Sequence, residues 1–212
     1  MANKDTHDTF TGQAGVIDCA IDWPSEDPRG WALLLHPHPL YGGTRDNKVV
    51  TTIARACTRL GLLTVRPNFR GVGKSEGEFD RAQGETADMQ ALVGQLQRLH
   101  PEITAGPWVV AGFSFGSAVA AQLHSAVTRK PEALVLAGTA VQRFRFMELD
   151  MPKDALLIHG EKDDVVPLAE AMDFAREFQL PVMVLPDAEH FFHGRLVELR
   201  SIVERHLAAA LL

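Results

Sequence analysis

The stretch Trp108-Val109-Val110-Ala111-Gly112-Phe113-Ser114-Phe115-Gly116-Ser117-Ala118-Val119-Ala120-Ala121 decides how the rest of the chain is read. A short, continuous apolar run reads as a strand buried on both faces. It ends in Gly-x-Ser-x-Gly, and the small residues from Ser117 to Ala121 open a helix that can lie close to a sheet. A turn that sharp admits only small residues at its flanks. It thrusts the Ser114 hydroxyl out at the strand end, beside the first free N–H groups of the helix. The plain alternative is a glycine-rich turn whose serine only caps the helix.

Working outward, the same alternation repeats. The runs Trp31–Leu35, Leu62–Val65, Ala133–Ala137, Ala155–Ile158 and Val182–Leu185 are also continuous, and helical periods separate them. Val49, Val50, Ile53, Ala54, Cys57 and Leu60 share one helical face, with Gly61 as a stop. Met89 to Leu99 and Leu196 to Leu207 repeat that period. Strand and helix in alternation predict an α/β fold, a mostly parallel central sheet with helices on both faces. Ile17, Cys19 and Ile21 alternate with Asp18, Ala20 and Asp22, which predicts a half-exposed strand at the sheet edge. With no repeat, low-complexity tract or linker, one domain over residues 1–212 is expected.

Composition narrows the function classes. The 212 residues are 46% hydrophobic and 23% charged, which excludes a disordered or collagenous chain. A formal net charge of -6 argues against a surface-wide attraction to nucleic acid or anionic lipid, so neither partner is expected. Two cysteines, Cys19 and Cys57, are too few for a disulfide framework and read as buried thiols. The polar start, Met-Ala-Asn-Lys-Asp-Thr-His, lacks an apolar signal core, and no run approaches the length of a membrane span. A cytoplasmic location is the expectation, and the oligomeric state is open.

Ligands of open parallel sheets bind at the carboxyl ends of the strands. A serine hydroxyl there needs a base to take its proton and an acid to orient that base. After Ala155–Ile158 comes His159-Gly160-Glu161-Lys162-Asp163-Asp164-Val165-Val166-Pro167; after Val182–Leu185 comes Pro186-Asp187-Ala188-Glu189-His190-Phe191-Phe192-His193. An acid and a histidine thus follow Ser114 in the order Ser, Asp, His.

These motifs resemble the α/β-hydrolase superfamily over nearly the whole chain. Gly-x-x-Asp-x-x-Val-Pro is similar to its acid loop and points to Asp163 rather than Asp164. Asp-Ala-Glu-His-Phe-Phe is similar to its histidine loop and points to His190 rather than His193. The resemblance implies an oxyanion hole from the N–H of Phe115 and an N–H of His36-Pro37-His38-Pro39-Leu40-Tyr41-Gly42-Gly43. Pro37 and Pro39 have no N–H. Analogy with the family's His-Gly-x loop favours His38, with Leu40 second, although Pro37 stands where glycine is usual.

Two rival motifs are weighed and set aside. His36 and His38 have ligand spacing but no third ligand nearby, so no metal is expected. Asn68 to Ser75 ends in Gly-Lys-Ser, yet Asn68 stands where a phosphate-binding loop needs glycine, and Glu76 and Glu78 would repel phosphate. The resemblance makes Asn-Phe-Arg-Gly-x-Gly-x-Ser-x-Gly a structural turn beside the site. Gly84-Glu85 and Asp88 read as caps of the following helix.

Only Gly138 through Asp154 separate the fourth and fifth parallel runs, too few for a helical lid, so no cap domain is expected. Within it, Arg143-Phe144-Arg145-Phe146-Met147 has two readings, a fringe of the pocket or an ordinary loop or edge strand, and the second is favoured. The chain is similar to small lidless serine hydrolases, such as dienelactone hydrolases and the core of prolyl-oligopeptidase-type enzymes, although dienelactone hydrolases proper use cysteine where Ser114 stands. The expectation is a serine hydrolase of small acyl esters or thioesters, without cofactor. Ser114, Asp163 and His190 form its triad, the N–H groups of His38 and Phe115 form its oxyanion hole, and Leu40, Tyr41, Phe113, Phe115, Val165 and Phe191 border an apolar acyl group. An amidase or peptidase is the second reading, and a non-catalytic binding protein on the same fold is the third.

Overall fold

The computed structural model describes residues 5–211. Its sheet has eight strands: β1 (Asp5–Gly12), β2 (Gly15–Asp22), β3 (Gly30–Leu35), β4 (Leu62–Pro67), β5 (Trp108–Phe113), β6 (Ala133–Ala137), β7 (Leu156–Gly160) and β8 (Val182–Leu185). The order is β1-β2-β4-β3-β5-β6-β7-β8. The β1–β2 and β2–β4 pairs are antiparallel, and the pairs from β4 to β8 are parallel. Every predicted apolar run is a strand of this sheet.

Among the described residues seven α-helices accompany it: α1 (Lys48–Arg59), α2 (Gln83–Leu99), α3 (Pro101–Thr104), α4 (Phe115–Ala126), α5 (Val141–Phe144), α6 (Leu168–Phe178) and α7 (Leu196–Ala210), with one 3-10 turn at Pro39–Tyr41. Strand side chains alternate between two cores. Trp31, Leu33, Leu35, Trp108 and Val110 join Met89, Leu92 and Leu96 of α2, Phe115 and Val119 of α4 and Phe174 of α6 on one face. Ala32, Leu34, Val109, Ala111 and Phe113 join Val49 and Ile53 of α1 and Leu199, Val203 and Leu207 of α7 on the other. Trp31 and Trp108 are register partners whose rings stack at 4.6 Å, adding about 1 kcal/mol beyond their buried area. The Asn47 side chain caps α1 by accepting from the Val49 N–H at 2.9 Å.

Two strand expectations are corrected. The alternating segment Ile17–Ile21 lies in β2, which is an inner strand, because β1 pairs along its outer side and is itself the edge. The polar half of the alternation is buried against cations instead of facing water. Asp18 meets Arg45 at 2.9 Å, and Asp22 takes a two-point contact from Arg66 at 2.7 and 2.8 Å. The other edge is β8, so its apolar run is only partly buried. Asp88 is likewise not a cap: it accepts from the Gln13 N–H and from Arg70, joining α2 to the β1–β2 hairpin and the turn after β4. Glu85 does close the start of α2, accepting from the N–H groups of Asp80 and Ala82.

Removing one partner of a buried ion pair strands the other charge. Asp22→Ala is expected to lower unfolding free energy by about 3 kcal/mol, read from urea titrations. A loss below about 1 kcal/mol would show that the exposed Asp46 carboxylate, also bonded to Arg66, suffices alone.

Candidate active site

Ser114 sits between β5 and α4 at φ 53°, ψ −120°, a backbone conformation that costs about 1–3 kcal/mol for a side-chain-bearing residue. Its flanks show why both must be glycine. A Cβ on Gly112 would stand 2.1 Å from the Gly116 carbonyl oxygen, and one on Gly116 would stand 2.3 Å from that of Leu35. The start of α4 therefore presses against the end of β3. The Ser114 side chain makes no cap bond to its helix, so the capping alternative fails on geometry.

The structure brings together three residues from three strand ends. Ser114 Oγ lies 3.0 Å from His190 Nε2, and His190 Nδ1 lies 2.7 Å from Asp163 Oδ2. The carboxylate cannot donate, so Nδ1 carries the proton and Nε2 turns a lone pair to the hydroxyl. Asp163 Oδ1 accepts from the N–H groups of Val165 and Val166 at 3.0 and 2.7 Å. Burial alone would raise the Asp163 pKa; the hydrogen bonds from His190 and the Val166 N–H overcome it and hold the carboxyl below its ordinary value. The His190 ring rests on Phe113 at 4.9 Å between centroids, and Gly138 leaves room for it, since a Cβ there would lie 3.1 Å from the ring.

The alternatives fall elsewhere. Asp164 is exposed. His193 is exposed and pairs with Glu189. Phe113, expected to border substrate, is fully buried: as the last residue of β5 its side chain faces the α1–α7 layer and supports His190 from below.

The N–H of Phe115 is the first of α4, one of the donors a helix leaves without an internal partner. The loop after β3 is held rigidly beside it. His36 is fully buried; its Nε2 accepts from the Phe69 N–H at 2.9 Å, so its Nδ1–H donates to the Pro37 carbonyl at 2.7 Å. With both nitrogens engaged it is no metal ligand. Leu40 directs its N–H to His38 Nδ1 at 3.2 Å, whereas the His38 N–H has no partner among the described residues. Leu40, the second oxyanion candidate, thus drops out.

Two cavities meet at Ser114. The larger, about 610 Å³, is walled by His38, Tyr41, Phe79, Phe115 and Phe144, with Arg81 and Arg143 at its rim. The smaller, about 370 Å³, holds His190, Phe191, Gly42, Gly43 and Asn47. Leu40 lies on the first, Phe191 on the second, and Tyr41 and Val165 on both. Phe79 and Arg81 were not foreseen, and Phe144 belongs to the segment whose less favoured reading was a fringe of the pocket. The Arg143–Met147 segment, read as a loop or strand, contributes the end of the short helix α5, which carries Phe144 edge-on to Phe115 at 4.9 Å. Arg143 is clamped by Glu170 at 2.6 and 2.7 Å; Arg81 has no ion-pair partner among the described residues.

Comparison with known proteins bears on this geometry. A family described as "Serine aminopeptidase, S33" matches residues 40–149. A lidless α/β serine hydrolase from Xanthomonas campestris, known from its crystal structure, is 31% identical at a TM-score of 0.89, over 100% of this chain and 97% of that one. An α/β serine hydrolase homologue from Coxiella burnetii is 37% identical at a TM-score of 0.84, over 98% of each chain. A monoacylglycerol lipase from Mycolicibacterium smegmatis is 28% identical over 137 residues, 63% of this chain and 46% of the lipase, so the chain spans about half that relative's length.

The loop carrying His38 depends on a neutral His36, whose pKa burial pushes down to about 4. Between pH 6.5 and 4 the unfolded chain binds the proton and the folded one does not, so stability falls as pH falls. Over that window wild type is expected to lose about 3 kcal/mol more than His36→Gln, measured by urea titration. Parallel pH curves for the two proteins would contradict this.

Proposed function

Since the chain belongs to the serine aminopeptidase S33 family of α/β hydrolases, we propose that it cleaves small acyl esters or thioesters through an acyl-enzyme on Ser114. One observation carries the reading: the unbroken line of contacts from Asp163 through His190 to Ser114 Oγ, at 2.7 and 3.0 Å. His190 Nε2 takes the hydroxyl proton as Oγ attacks the carbonyl carbon. The new oxyanion faces the N–H groups of His38 and Phe115; losing one such donor costs about 3–4 kcal/mol of barrier. The imidazolium, held by Asp163, returns the proton to the departing alcohol or thiol. Water then repeats the sequence on the acyl-enzyme.

His190 must protonate the leaving group, so the cavity it borders receives that group, and the aromatic cavity takes the acyl part. The rim lacks a lid, and Tyr41 is 87% exposed, which fits broad selectivity among small acyl groups.

The family's description favours a second reading, aminopeptidase action. A free α-ammonium needs a carboxylate to receive it, and neither cavity at Ser114 has an aspartate or glutamate in its lining; the larger one instead carries the guanidinium groups of Arg81 and of Arg143, the second paired with Glu170. That charge pattern supports esters over aminoacyl amides.

The test is a panel of p-nitrophenyl acyl esters, acyl thioesters and aminoacyl anilides, run with wild type and Ser114→Ala. Wild type is expected to turn over esters and thioesters. The alanine variant is expected to lose roughly 10³-fold or more in kcat while keeping the wild-type circular dichroism spectrum. Equal ester hydrolysis by both proteins would end the proposal, and anilide turnover without ester turnover would replace it with the second reading. Asp163→Asn is expected to keep the fold and lose about 10⁴-fold in kcat, because His190 is left in the wrong tautomer.

A further inference from the structure

His159, at the end of β7, takes no part in the proton path drawn above, yet it is 1% exposed and lies against that path. Its Nε2 is 2.7 Å from the Val166 carbonyl oxygen and 3.3 Å from Asp163 Oδ2. Neither oxygen can donate, so Nε2 carries the proton. Its Nδ1 is buried and has no hydrogen-bond partner among the described residues. A second proton there would be a buried donor with nothing to receive it, a costly state. The ring is thereby held neutral in one tautomer.

We propose that His159 is a positioning residue for the Asp163–His190 pair: its Nε2–H pins the Val166 carbonyl and sets the proton's partial positive charge beside Asp163 Oδ2. The first contact fixes the loop whose Val165 and Val166 N–H groups hold Oδ1. The second gives Oδ2 a neighbour besides His190. Asp163's side chain is fully buried, so each nearby donor counts in keeping it ionised. A merely space-filling core histidine would satisfy the carbonyl alone and would not face the carboxylate.

Other charges around His159 are few and nearly balanced. Asp163 faces it at 3.3 Å, and His190 and Glu170 of α6 act on it through their charge, Glu170 being paired with Arg143 of α5. Burial drives the His159 pKa below its ordinary value, in line with a ring that stays neutral while His190 cycles. A charged His159 would instead compete with the His190 imidazolium for Asp163.

Two measurements test this. The kinetic one compares pH profiles of kcat/KM for ester hydrolysis in wild type, His159→Leu and His159→Gln, and rests on the function proposed above. Without the donor, Asp163 binds the His190 imidazolium more tightly. The acid limb is then expected to move up by about 0.5 pH unit, with kcat about tenfold lower and KM within twofold. A glutamine side chain at this position can donate through its amide, so that variant is expected to restore the limb and most of kcat. A folded leucine variant with an unmoved limb, or a glutamine variant no better than leucine, overturns the proposal.

The second measurement uses wild type and needs no turnover: long-range ¹H–¹⁵N NMR of the histidine rings between pH 5 and 8. His159 is expected to stay in the Nε2–H tautomer throughout. A protonated Nδ1 or a titrating ring overturns the proposal even if the leucine variant does not fold. If Ser114→Ala keeps its esterase activity while this tautomer is seen, the triad reading fails and the His159 assignment stands on its own.

Discussion

The hydrogen bond from His190 Nδ1–H to Asp163 Oδ2 is the contact on which the site depends, because it decides which ring nitrogen faces the serine. Much of the surrounding structure keeps those atoms at 2.7 Å. Gly160 lets the acid loop touch the histidine loop, since a Cβ there would stand 2.4 Å from the Ala188 carbonyl. Backbone bonds from Glu161 to Leu185 and from Lys162 to Ala188 then tie the two loops together. Asp163 and His190 thus arrive as one unit on neighbouring strands β7 and β8. Ser114 comes from β5, two strands away, and its turn is fixed by the fit of Gly116 under the carbonyls of Leu35 and His36.

Three of the buried histidines, those at the strand ends, divide the electrostatic labour. His36 and His159 are locked neutral by backbone partners and steady the loops that carry His38 and Asp163. Only His190 joins a carboxylate on one nitrogen to a hydroxyl on the other. That asymmetry suits it, among the three, to accept and release a proton. Around it the local charge departs from the overall one: the molecule carries -6, but the only charged groups lining the larger cavity are Arg81 and the Glu170-paired Arg143, and the smaller one has no carboxylate. A substrate with a positive end is disfavoured locally even though the surface as a whole would attract it.

How much of this was legible in the sequence follows from where each signal resides. Ser114, Asp163 and His190 could be found because each follows an apolar run, and a parallel sheet gathers such ends on one edge. The glycines around Ser114 were legible because steric exclusion acts over two residues. Strand pairing is not local, so β1 hid as the true edge, and the acids of β2 looked solvent-facing until Arg45 and Arg66 were seen to meet them. Phe113 was misassigned because its position beside the serine says nothing about which face of β5 it takes. Phe79 and Arg81 reach the cavity from a loop distant in sequence, and nothing in their neighbours announces it, while Phe144 arrives on α5, a helix too short to leave a period in the sequence. His159 stood in plain view next to Gly160, but its role requires knowing that Val166 folds back over it.

The central claim is that Ser114 Oγ is a nucleophile activated by His190. The most direct measurement is mass spectrometry of the chain after reaction with a fluorophosphonate, which phosphonylates only an activated serine. The account requires one adduct per chain, on the peptide carrying Ser114, forming at a rate that collapses when His190 becomes alanine. An unmodified Ser114, or labelling that proceeds equally well without His190, would contradict it.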